Sequence, residues 1–97
     1  MRLKKEDIKS IKRITKECFG VNAQIYLFGS RVDNKKRGGD IDLYIETKMK
    51  ENIFEQKLKM IRMLHYILGE QKIDIVINNY TTDKFIFRVA KSEGVPL

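Results

Sequence analysis

The sequence predicts a small domain of the α/β (α+β) class, and two patterns predict it. Short stretches at 24–28, 40–46 and 72–77 alternate apolar with polar residues, or run apolar between turn signals, and read as strands. Longer stretches at 5–19, 50–69 and 83–93 repeat apolar residues every three or four positions and read as amphipathic helices. Interleaved along 97 residues, of which 42% are hydrophobic, they make one core and one domain spanning 1–97.

Each element has its own signal. In 5–19 the stripe is Ile8, Ile11, Ile14 and Cys18, and Gly20 is the stop. The run Ile25-Tyr26-Leu27-Phe28 is a strand that Gly29 and Ser30 end, with a turn or short helix expected over 30–36. Ile41, Leu43 and Ile45 alternate with Asp40, Asp42, Tyr44 and Glu46. The long helix 50–69 carries Phe54, Leu58, Ile61, Leu64, Ile67 and Leu68 and ends at Gly69. Ile73, Ile75 and Ile77 alternate with Asp74, Val76 and Asn78. Thr82 is the expected cap of a helix over 83–93 that turns Phe85, Ile86 and Val89 inward, with Gly94 and Pro96 in a tail beyond it. No repeat, low-complexity tract or linker interrupts the series.

Composition narrows the class. Twenty basic and 13 acidic residues give a net charge of +7, which suits nucleotides, nucleic acid or an acidic partner surface and equally suits a solvated exterior. The cluster Lys35-Lys36-Arg37 lies in the loop between Ser30 and Asp40. Cys18 is the only cysteine, so no internal disulfide forms and a reducing compartment is expected. The N-terminus runs into charge rather than an apolar segment, so neither an export signal nor a membrane span is expected, and the protein reads as soluble and cytoplasmic. His65 beside the long helix's stripe reads as a partly buried structural histidine, Cys18 as core, and the methionines as packing or a partner surface.

The chemistry concentrates between Phe28 and Glu46. On a strand, Asp40 and Asp42 project from one face with Cα atoms about 6.6 Å apart; on a helix they would diverge by about 200°. Like charges so placed repel unless something positive lies between them, and a hard divalent cation is the usual solution. Asp74 is a mid-strand acid flanked by isoleucines, expensive unless paired or ligating. If its strand neighbours 40–46, three carboxylates converge and can hold two metals about 3.5–4 Å apart. Gly29 permits close backbone approach to a ligand, Ser30 offers a hydroxyl, and Arg31 a fixed positive charge suited to phosphate, or to a surface ion pair. Tyr44 shares the Asp40/Asp42 face and either stacks on a base or covers the sheet. Glu46, farther along, reads as structural or solvent-facing.

Gly29-Ser30, nine residues, Asp40-x-Asp42 and a later-strand Asp74 together resemble the polymerase-β nucleotidyltransferase superfamily, most closely its minimal nucleotidyltransferases, the antitoxin halves of two-gene systems with HEPN-domain toxins. The resemblance covers almost the whole chain, to the Lys91-Ser92-Glu93-Gly94-Val95 ending, and departs from many relatives at Val32–Gly39. It implies a mixed sheet with helices packed on one face and the aspartates on the open face or its edge. It implies that Asp40, Asp42 and Asp74 are catalytic and bind two Mg²⁺ ions, with Mn²⁺ as substitute, and that Gly29, Ser30 and Arg31 bind the nucleotide. The implied reaction transfers AMP from ATP to a hydroxyl, a tyrosine of a HEPN toxin, in a hetero-oligomer that presents the acceptor. A rival class is a non-catalytic antitoxin that masks its partner. A small nucleic-acid-binding protein rests on charge alone and lacks a recognition motif.

Overall fold

The computed structural model describes residues 3–29, 40–69 and 71–97, and for Asp40 the backbone alone. Element order is α1 (Lys5–Phe19), β1 (Gln24–Phe28), β2 (Asp40–Glu46), α2 (Ile53–Leu68), β3 (Lys72–Asn78), α3 (Phe85–Glu93) and β4 (Val95–Pro96). The strands form one mixed sheet in the order β3-β2-β1-β4, with β2 parallel to β3 and β1 antiparallel to both β2 and β4. The expected class and mixed sheet are therefore observed.

Strand alternation divides the sheet into two faces. Ile25, Leu27, Ile41, Leu43, Ile45, Ile73 and Ile75 point to one face and are buried under α1 and α2. From α1 come Ile11, Ile14, Cys18 and Phe19; from α2, Met60 and Leu64. Burial raises the Cys18 thiol above its ordinary pKa, as suits a core residue. The expectation of helices on one face holds for α1 and α2. On the opposite face α3 lays Phe87 and Ala90 over Tyr44, with Tyr26, Phe28 and Val76 around them.

Both later helices are rotated relative to the expected stripes. On α2 the inward residues are Met60 and Leu64, with Ile53, Ile61 and Leu68 packed alongside, whereas Phe54, Leu58 and Ile67 are exposed. On α3 Phe87 and Ala90 are inward, while Phe85 and Ile86 are exposed and Val89 is half-buried. Each helix is apolar around enough of its girth to carry two overlapping stripes, and periodicity alone does not choose between them. The start of α2 is delayed to Ile53 because Asn52 is left-handed, at φ 60°, and the preceding loop is tied elsewhere. Thr47 donates its backbone N–H to Asn78 O at 3.0 Å and its hydroxyl to Phe19 O at 2.7 Å, and Lys50 Nζ donates to Asn79 O. Thr82 does not cap α3. Lys84 is the N-cap, without a side-chain bond, and the turn at Tyr80 (φ 64°) leaves residues 81–84 to carry the chain from the sheet edge to the far face. Pro96 is no idle tail: it opposes Tyr26 in β4, an edge position that needs no N–H from it.

Tyr44 is buried, at 1% exposure, so it covers the sheet and does not stack on a base. Its hydroxyl donates to Glu46 Oε2 at 2.8 Å and accepts from Asn78 Nδ2 at 3.0 Å, and Lys91 on α3 approaches the same carboxylate at 3.3 Å. Glu46 is thus structural rather than solvent-facing. Desolvation, reinforced by the Glu46 carboxylate and opposed by the Asn78 bond, pushes Tyr44 up to about 12. A tyrosine raised in the fold holds its proton more tightly folded than unfolded. Its contribution is complete below the unfolded pKa of about 10 and is lost as pH climbs through the folded value. Tyr44→Phe is expected to cost about 1–2 kcal/mol at neutral pH. It should also lose less further stability than the parent between pH of about 10 and about 12, read from urea midpoints across that window.

His65 is exposed rather than partly buried; its Nε2 donates to Gln71 O at 2.8 Å across the turn after α2, a structural bond.

Candidate active site

β2 and β3 are neighbours, and their parallel register sets Asp42 opposite Asp74 and Asp40 opposite Lys72. Residues opposite one another in a sheet share a face about 4.8 Å apart. Asp42 and Asp74 therefore lie side by side on the face that carries α3, near the start of both strands. Asp42 is half-buried, and the Asp74 side chain keeps 53% of its surface exposed. A half-open pair of hard oxygen donors is the kind of set that takes magnesium or manganese, so these two residues fit the metal that the sequence implies. The side chain of Asp40, the third expected ligand, lies outside the described residues, among which no cluster of three metal-ligating side chains forms.

The other side of Asp42 meets the end of β1. Phe28 pairs with Asp42, and Gly29 follows at φ 79°. A Cβ built on Gly29 would collide with Asp42 Oδ2. Glycine here both adopts a left-handed backbone and lets the chain close on the carboxylate. The end of β1 is thereby held against Asp42. Ser30, Arg31, the turn expected over 30–36 and the cluster Lys35-Lys36-Arg37 lie outside the described residues.

Sequence reasoning passed over Lys72. Its ammonium lies 3.9 Å from Asp74 Oδ2, two residues along the same strand face. This pair is exposed, and such pairs are worth about 0–1 kcal/mol. Its importance is electrostatic placement: a resident cation beside carboxylates that otherwise repel. The signal was available, since Lys72 and Asp74 stand at the two-residue spacing that identified Asp40 and Asp42.

A cavity of about 580 Å³ lies at the far end of the sheet, between Gly20–Gln24 and Glu46–Met49. It contains one carboxylate, Glu46, already engaged by Tyr44 and Lys91. The acids lie at the opposite end of β2. None of the described helices is long and apolar enough to cross a membrane.

No curated protein matches the chain as a relative. The family model described as Polymerase beta, Nucleotidyltransferase matches residues 9–96, a span that contains Gly29, Asp42, Asp74 and every other candidate residue. That span reaches from the first helix through the last strand, so the chain belongs to the polymerase beta nucleotidyltransferase family and its general activity is nucleotidyl transfer.

Proposed function

We infer that this chain transfers AMP from ATP to a hydroxyl on a partner protein, a tyrosine of a HEPN-type toxin, and so acts as an antitoxin in a hetero-oligomer. The observation that carries the catalytic part is the Asp42–Asp74 pairing with Gly29 closed against Asp42. Asp42 and Asp74, with Asp40 two positions before Asp42, would hold the divalent ions. When bound, such ions lower the pKa of an attacking hydroxyl and neutralise charge on the leaving oxygens. Gly29, Ser30 and Arg31 bind the triphosphate and set its α-phosphorus toward the acids. The acceptor oxygen bonds to that phosphorus, the bond to the bridging oxygen breaks, and pyrophosphate leaves. Asp74, whose carboxylate is half-exposed, would take the hydroxyl proton.

The toxin and its tyrosine come from the family resemblance. Chemistry supports them in that AMP on a tyrosine beside a ribonuclease centre adds bulk and negative charge, blocking RNA and repelling its phosphates. The test is co-expression with the neighbouring-gene protein, then α-labelled ATP and Mg²⁺. Label should appear on the partner, and intact mass should show one or more added AMP groups, absent when Asp42 is Asn. A fully inhibited but unmodified partner would replace this reading with masking, and label on tRNA or a small molecule would remove the antitoxin role.

A further inference from the structure

β3 is an edge strand: among the described residues only β2 pairs with it. Alternate residues of such a strand turn their N–H and C=O groups outward, a template for another strand. A groove of about 500 Å³ follows this edge. Its floor is Ile75–Ile77, one wall is Phe54 and Lys57 of α2, and the other is Ile86 of α3 with Lys84, the residue that caps it. Because α2 and α3 cover opposite faces of the sheet, the walls stand on either side of the strand edge rather than on top of it. Phe54 is 67% exposed and Ile86 40%, in a lining that includes lysines but no acid.

We propose that this groove docks an extended segment of a partner protein, which adds to β3 as a fifth strand. Main-chain hydrogen bonds to the β3 edge supply affinity, and the two walls supply selectivity. Side chains of an added strand alternate between the walls, and each wall offers apolar surface beside one lysine. The segment therefore carries apolar residues on both faces and an acidic residue on each, one for Lys57 and one for Lys84. A second copy of the chain is disfavoured as occupant. It would bring the same lysines and a further net charge of +7 to a cleft walled for one extended strand.

Asp74 lies on β3 immediately before the groove floor. A segment paired along β3 therefore continues past the carboxylates and brings its own side chains beside them. That it is the acceptor-bearing segment rests on the transfer reading; the docking does not.

The probe is a fluorescein-labelled peptide of about nine residues, valine and threonine with a central tyrosine and two glutamates an odd number of positions apart, so that they face opposite walls. Anisotropy should show binding that weakens at least about tenfold in Lys84→Glu and in Phe54→Ser, both exposed positions that leave the core intact. Methylating alternate peptide amides, with side chains unchanged, should abolish binding, and Asp42→Asn should keep it. Binding that survives amide methylation, a lysine-for-glutamate peptide that binds as well, or no binding at all would overturn the proposal. So would a dimer in sedimentation that Phe54→Ser dissociates, since a second copy would then fill the groove. Binding with no transfer of label to the tyrosine would sustain the docking and count against the transfer reading.

Discussion

Asp42→Asn is expected to lower nucleotidyl transfer by on the order of 10²–10³-fold or more, with Asp74→Asn and Asp40→Asn close behind. Asparagine keeps the shape and one carbonyl oxygen but removes the charge that makes a carboxylate a ligand for a hard cation. Of the two described acids, Asp42 has the less latitude. It is half-buried, it stands between Asp74 on one strand and the end of β1 on the other, and Gly29 lies against its carboxylate. The fold should survive the change. Asparagine keeps the size and hydrogen-bonding shape of the side chain, so the melting temperature should change far less than the activity. Activity and stability then move apart, which a merely structural aspartate would not produce. Initial rates with α-labelled ATP, over a Mg²⁺ and Mn²⁺ titration and beside a thermal melt, check both. Undiminished transfer by the Asp42 variant would refute the site.

How far the sequence could be read depends on which physical signal each element carries. Strand alternation is unambiguous over 40–46 and 72–77, because one buried face needs every second residue apolar. It delivers the side-by-side placement of Asp42 and Asp74 once the strands are adjacent. Helix existence was equally plain, but helix rotation was not. Ile61, Leu64 and Leu68 of the expected α2 stripe do face the core, but Met60 joins them while Phe54, Leu58 and Ile67 stay outside, and only the angle at which α1 and the sheet meet α2 decides which flank is buried. Phe85 and Phe87 pose the same ambiguity on α3. Tyr44 was legible as a residue on the acid face, but its burial depends on α3 crossing that face, a tertiary event with no local signature. The pairing of β4 with β1 is also tertiary, since two residues ending in proline carry no strand signal of their own. Lys72 is less legible for a different reason: an exposed lysine at a strand start is ordinary in a sequence with 20 basic residues, and only its two-residue spacing from Asp74 marks it.

Gly29→Ala is expected to do more harm than its size suggests, and Gly29→Val more still. At φ 79° an L-residue pays about 1–3 kcal/mol of backbone strain, and a β-branched one pays toward the upper end. A second effect is specific to this position. The Cβ of either replacement would overlap Asp42 Oδ2, so the carboxylate must swing away or the end of β1 must draw back from β2. Either movement displaces a proposed metal ligand, or displaces the turn that leads to Ser30, and transfer should fall at least about a hundredfold. Gly69 separates the two effects. It has nearly the same φ, 87°, but nothing lies within 4 Å of its Cβ position. Gly69→Ala should therefore lose comparable stability in urea unfolding while keeping transfer, whereas Gly29→Ala should lose both. The difference between the two variants isolates the close approach of backbone to carboxylate from the cost of a left-handed residue. If both lose stability equally and both still transfer nucleotide, the contact between Gly29 and Asp42 is packing alone.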